Sequence, residues 1–129
     1  MATKNPVICD TNILIEYFKN NTEVASTIFD IGEKNILISS ITAGELYYGA
    51  FNKNELRKIK RKLDLLVIIP INENICDIYE KLMYRFSLSH KISLPDAFIA
   101  AAALYYDLHL YTLNIRDFKF IPDIKLYKK

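Results

Sequence analysis

Pro6-Val7-Ile8-Cys9-Asp10-Thr11-Asn12 reads as one unit: a proline, a short apolar β-branched run, then an acid and two small polar residues. An apolar run with no polar alternation is the mark of a strand buried on both faces, as in a parallel sheet. Asp10 would then stand at the strand's carboxyl end. In open α/β sheets that end is where ligands bind, so an acid parked there is placed for chemistry.

Working outward, the chain alternates. Ile13, Leu14, Tyr17 and Phe18 recur at helical spacing, and Val24, Ala25, Ile28 and Phe29 do so again after the polar break Asn20-Asn21-Thr22. Gly32 is placed to close that second helix, and Ile36-Leu37-Ile38 reads as the next strand. Thr42 precedes a helical run through Leu46, Tyr47 and Ala50. A strongly basic helix is expected over about Glu55 to Leu66, before the apolar strand Val67-Ile68-Ile69 halts at Pro70. Ile75, Ile78, Tyr79, Leu82, Met83 and Phe86 form an amphipathic helix. Ser93-Leu94-Pro95 opens another, whose small-residue run Ala97 to Ala103 lets it lie close to a sheet. His109-Leu110-Tyr111-Thr112 and Ile124-Lys125-Leu126-Tyr127 are the remaining strand candidates. Strands separated by helices require crossover connections, hence a mainly parallel sheet covered on both faces and a three-layer α/β/α architecture.

A chain of 129 residues fits one domain, here spanning 1–129, without internal repeat, linker or low-complexity segment. The longest strictly apolar stretch, Ala97 to Tyr106, is too short to cross a bilayer and is flanked by Asp96 and Asp107, so no membrane partner is expected. The start Met1-Ala2-Thr3-Lys4-Asn5-Pro6 lacks a leader's apolar segment, and the two cysteines, Cys9 and Cys76, make no disulfide framework. Both features suit a cytoplasmic protein. The net charge of +2 does not by itself argue for nucleic acid.

Four acids stand just past an apolar run or in the first turn of an expected helix: Asp10, Glu45, Asp96 and Asp117. Each also has an ordinary explanation. Asp10 is a natural helix N-cap. Glu45 completes a capping box with Thr42, although Gly44 beside it costs about 1 kcal/mol against alanine in a helix and suggests a close approach to the backbone there. Asp96 suits the positive end of its helix dipole, yet it is the only charge between Lys91 and Asp107 on an apolar element and needs a partner or a cation. Asp117 fits a turn. Asp30, Asp64, Asp77, Asp107 and Asp123 are assigned no chemistry. If the four converge, they form a hard oxygen pocket for a divalent ion acting on phosphate.

Taken together, Asp10-Thr11-Asn12 with Ile13-Leu14, Thr42-Ala43-Gly44-Glu45-Leu46 with Gly49, Pro95-Asp96-Ala97-Phe98-Ile99-Ala100-Ala101-Ala102, and Thr112-Leu113-Asn114-Ile115-Arg116-Asp117-Phe118 resemble, in order, the motifs of PIN-domain nucleases. The resemblance spans nearly the whole chain and is greatest to the compact VapC-type toxins of toxin–antitoxin pairs. It implies a PIN-like fold and a Mg²⁺- or Mn²⁺-dependent endoribonuclease. It also implies a metal pocket of Asp10, Glu45, Asp96 and Asp117, supported by Thr112 and Asn114, with Asp10 and Asp96 the firmest ligands; Thr11 and Asn12, next to Asp10, are themselves placed to hold water around such an ion. An RNA substrate, a homodimer and a small cognate antitoxin in a groove between helices follow from the same resemblance.

His90 and His109 lack zinc-ligand spacing and read as surface or strand-end residues, which leaves Mg²⁺ or Mn²⁺ as the expected ion. Lys53, Arg57, Lys58, Lys60, Arg61 and Lys62 form the densest basic run, either a solvated helix face or a phosphate-contacting one. Tyr79, Tyr105 and Tyr111 fall on apolar faces and are expected to pack in the core rather than stack on bases. Two rival classes share an acidic pocket at strand ends: phosphoaspartyl proteins, whether receiver domains or haloacid-dehalogenase-like phosphatases, and a catalytically idle PIN-like module that only docks a protein. The first would show paired acids or Asp-x-Asp after the first strand, where this chain has Asp10-Thr11-Asn12. The second would not need four intact acids.

Overall fold

The computed structural model describes residues 5–128; Met1 to Lys4, part of the segment read for a leader, and Lys129 lie outside it. Five strands form one sheet: β1 (Val7–Cys9), β2 (Ile36–Ser39), β3 (Val67–Ile69), β4 (His109–Tyr111) and β5 (Lys125–Leu126). Every pairing is parallel and the spatial order is β3-β2-β1-β4-β5, so β1 is central. The chain builds outward from β1 to β3 on one side, then returns to add β4 and β5 on the other. The order therefore reverses between β1 and β4, and at such a switch point the neighbouring connections leave in opposite directions and open a crevice at the carboxyl ends.

Six helices cover the sheet among the described residues: α1 (Thr11–Phe18), α2 (Thr22–Ile31), α3 (Ser40–Tyr48), α4 (Lys53–Leu63), α5 (Glu73–Phe86) and α6 (Leu94–Tyr105). Because successive strand side chains point to opposite faces, β1 divides its residues between two cores. Val7 and Cys9 pack with Ile13, Leu14, Val24, Ile28, Ile36, Ile38, Leu46 and Leu63 from the α1 to α4 side. Ile8 points the other way, to Ile75, Leu82 and Phe86 of α5 and to Ala97 and Ile99 to Ala103 of α6. The result is the three-layer α/β/α arrangement that the alternation of strands and helices implies. The alanine run works as expected: five alanines of α6 are buried, and their short side chains bring the helix against α5, α3, β2 and β4.

Several local readings are corrected. α4 starts at Lys53, earlier than expected, because the Asn52 side chain accepts from the Glu55 amide and caps it there; it ends at Leu63, leaving Leu65 and Leu66 in a turn. β3 is an edge strand, so Val67 and Ile68 remain 54% and 38% exposed in place of the expected cover on both faces. Tyr79 stacks on Phe98 with ring centroids 3.7 Å apart, and Tyr111 is buried. Tyr105 does not pack in the core: it lies at the end of α6, 41% exposed, accepting from the Asn74 amide. No helix of the described residues is long and apolar enough to cross a membrane.

Candidate active site

Asp10 is both a cap and the centre of the crevice. Its Oδ1 accepts from the Thr11 amide at 2.7 Å, which starts α1 as Asp at an N-cap should. Its Oδ2 accepts from Thr112 Oγ1 at 2.8 Å, a bond that crosses the switch point from the end of β4. The Asn114 amide in turn donates to Thr112 Oγ1 at 3.0 Å, so a loop amide, a hydroxyl and a carboxylate form one relay. Asn12 serves the same junction from the other side, accepting from the Leu113 amide at 3.4 Å and tying α1 to the loop after β4.

Glu45 is not a capping-box residue. α3 is capped three residues before Thr42, by Ser39, whose hydroxyl accepts from the Ile41 amide, so Glu45 lies inside the helix and faces outward. Its Oε1 accepts from Thr11 Oγ1 at 2.6 Å. Thr42 Oγ1 is 3.0 Å from the same Thr11 oxygen; a hydroxyl has one proton, already committed to the carboxylate, so Thr11 accepts from Thr42. The buried Thr42 is a supporting residue that sequence reading missed; Thr11, half-buried, was expected beside Asp10 but not as a partner of Glu45. Thr11 stood beside Asp10 in the motif, but only the packing of α1 on α3 shows that it reaches Glu45. Gly44 also departs from expectation, since a Cβ there would meet nothing within 4 Å and no packed neighbour requires the glycine.

Asp96 stands in the first turn of α6, where Ser93 caps the helix by accepting from the Asp96 amide at 3.2 Å. Asp117 closes a short 3-10 turn, Ile115–Asp117, anchored by the fully buried Phe118 next to it; its own side chain is exposed.

The four acids share one field. Burial pushes the Asp10 carboxyl above the ordinary range; the Thr112 and Thr11 hydrogen bonds pull it back, and Glu45 and Asp117 push it up again. Asp96 is raised to about 6, first by burial and then by Asp10, with smaller contributions from Asp117 and Glu45 against the stabilising Ser93 bond. Acids remote in sequence thus meet closely enough to repel one another. They do not yet touch: among the described residues no three Asp, Glu, His or Cys side chains stand close enough to share one ion. Cys9 is no ligand, because burial followed by the Asp10 charge pushes its thiol up and keeps it protonated. His90 stacks on Phe120 in a cleft that Asp96 and Asp117 also line, and His109 opens β4.

Known proteins resemble this chain over nearly its whole length. The PIN domain model matches residues 7–122. Over 122 residues the chain is 29% identical to Ribonuclease VapC19 of Mycobacterium tuberculosis, covering 92% of this chain and 96% of the relative. It is 31% identical over 124 residues to Ribonuclease VapC1 of Haemophilus influenzae, covering 90% and 92%. Among solved structures, a toxin–antitoxin complex from Klebsiella pneumoniae superposes with a TM-score of 0.78 and 31% identity, covering 95% of this chain and 99% of that one. Both the family model and these full-length likenesses include the β1, α3, α6 and post-β4 positions that carry the four acids, and the chain belongs to the PIN-domain family.

Proposed function

We propose that this chain is a divalent-metal-dependent endoribonuclease and the toxin of a toxin–antitoxin pair, hydrolysing RNA phosphodiester bonds with Asp10, Glu45, Asp96 and Asp117. The observation that supports the reading is Asp10 at the end of the central strand, bonded across the switch point to Thr112, with Asp96 raised to about 6 first by burial and then by the Asp10 charge. A crowded set of carboxylates costs stability unless a cation uses it. Relatives named as ribonucleases supply the reaction class.

The donor set fits Mg²⁺ or Mn²⁺. All four groups offer oxygen, which hard ions prefer, and neither histidine nor a thiolate competes. Mg²⁺ keeps several waters and takes only one or two protein carboxylates directly, so it does not need three acids in contact with it. When bound, such an ion lowers the pKa of its water and neutralises charge on the attacked phosphate. The chain's own part is orientation: Thr112 and the Thr11 amide fix both oxygens of Asp10, and Thr11 holds Glu45 toward the crevice. Asn12 and Asn114 keep the β4 loop in register with α1.

The same hydrogen bonds speak against a phosphoaspartyl reaction. Asp10 is 5% exposed with both oxygens engaged, a poor nucleophile toward phosphorus. For the antitoxin, the groove between α1, α3 and α4 is the suited surface: Ile15, Phe18, Leu46 and Ile59 line it together with lysines and with Glu45 and Glu55. An amphipathic segment would match its apolar lining; a similar solved chain is part of a toxin–antitoxin complex. A homodimer and a single domain over 1–129 complete the proposal.

The decisive experiment is Asp96→Asn, with Asp10→Asn beside it, assayed on RNA with Mg²⁺ or Mn²⁺. Cleavage is expected to disappear in both while circular dichroism and thermal melting show the fold intact. A folded variant that still cuts RNA at the wild-type rate would remove the site from the chemistry.

A further inference from the structure

Beside the acids lies a cleft of about 510 Å³ whose lining carries both signs of charge. It is lined by Ser89, His90, Lys91, Ile92 and Ser93 before α6, by Asp96 in α6, and by Arg116, Asp117 and Phe120 after β4. Asp96 and Asp117 therefore share the lining of this cavity with two cations, Lys91 and Arg116. Neither cation forms an ion pair with any described residue, although Asp96 and Asp117 line the same cleft; the ion pairs among the described residues involve Lys19, Lys60 and Lys125. Two cations so placed are held for an anion that is not part of the chain.

Lys91 is held there by the backbone. It has a positive φ of 52°, an uncommon conformation for a residue with a side chain, at the turn that follows α5. Next to it, His90 is exposed and its ring lies parallel to Phe120, 4.1 Å between centroids and 15° between planes, with Phe86 meeting it edge-on. Ser89 Oγ lies 2.8 Å from His90 Nδ1 and fixes the ring's turn about its bond. A fixed, exposed aromatic ring backed by a second ring is a stacking platform, and an unpaired base is a partner that such platforms take.

We infer that this cleft binds the nucleotide adjoining the scissile bond in single-stranded RNA, its phosphate received by Lys91 and Arg116 and its base stacked on His90. The inference rests on the endoribonuclease reading and deepens it, for it gives the site a direction: RNA enters past α5 and leaves its neighbouring phosphate on Lys91 and Arg116 while the scissile one meets the acids. It also makes single-strandedness a requirement, since a paired base cannot reach the ring.

The test compares Lys91→Gln, Arg116→Gln and His90→Ala with the wild type on two substrates in Mn²⁺: a 12-nucleotide mixed-sequence single-stranded RNA and bis(p-nitrophenyl) phosphate, which has one phosphodiester and no neighbouring nucleotide. Each variant is expected to lose about fivefold or more in kcat/KM on the RNA, the scale of one stacked base or charged phosphate contact, and to keep wild-type activity on the small diester. The slope of log kcat/KM against log salt on RNA should fall by about 0.7 for each lysine or arginine removed, and stay unchanged in His90→Ala. Unchanged RNA cleavage in all three variants overturns the inference, and so does an equal loss on both substrates, which would make the cleft a mere support of the acids. A wild-type chain that leaves RNA intact would overturn the nuclease reading itself, and the cleft's role with it.

Discussion

Thr112 carries a buried side-chain hydrogen bond to Asp10 that joins the two halves of the sheet at the crevice. In Thr112→Val the shape is nearly kept but a buried Asp10 oxygen loses its donor, which costs about 1–3 kcal/mol of stability, measurable by urea unfolding. Activity should fall about 10- to 100-fold, as when a partner of a metal ligand is removed, and Thr112→Ser should restore most of it. Recovery by serine separates the hydrogen bond from packing. At this scale the acids and their neighbours were visible in the motif Asp10-Thr11-Asn12 and in Thr112-Leu113-Asn114, because strand ends and caps are local features. The Thr11 to Glu45 bond was not, since it depends on how two helices pack.

α6 shows what an element contributes. Its alanines are buried because a helix that must touch both α5 and the sheet has room for nothing larger. Ala101→Leu, at a fully buried position, is expected to destabilise by about 1–3 kcal/mol through overpacking, read as a lower urea midpoint with an unchanged slope. Displacing α6 also moves Asp96, so RNA cleavage should drop with it. The alanine run and Ser93-Leu94-Pro95 made this helix legible, including its start. α3 was misread at its start for a physical reason: Ser39 and Thr42 are both good caps, and where β2 stops decides between them. β3 was misread as covered because an apolar run looks the same in a central strand and at a sheet's edge.

For the molecule as a whole, the crowded acids set how stability answers to pH. A carboxyl whose folded pKa is raised binds its proton more tightly in the folded state, so unfolding releases it and stability falls as pH rises from about 4, the ordinary value, through about 6. Above that the loss is complete and constant. Melting in EDTA should therefore give a lower Tm at pH 7 than at pH 5, with a smaller difference in Asp96→Asn. Mg²⁺ or Mn²⁺ should raise the Tm at pH 7 more than at pH 5, because protons compete for Asp96 below about 6. No effect of either ion on the wild-type Tm at pH 7 would count against a metal in this pocket. The sequence by itself determined the layers, the parallel strands and the identities of the acids, because hydrophobic periodicity and helix caps are written within a few residues. Tertiary structure alone decided that β1 and β4 would be neighbours and β3 an edge. It alone decided that Thr11 would hold Glu45 and that Lys91 and Arg116 would face the same cleft as Asp96, since each joins residues far apart in the chain.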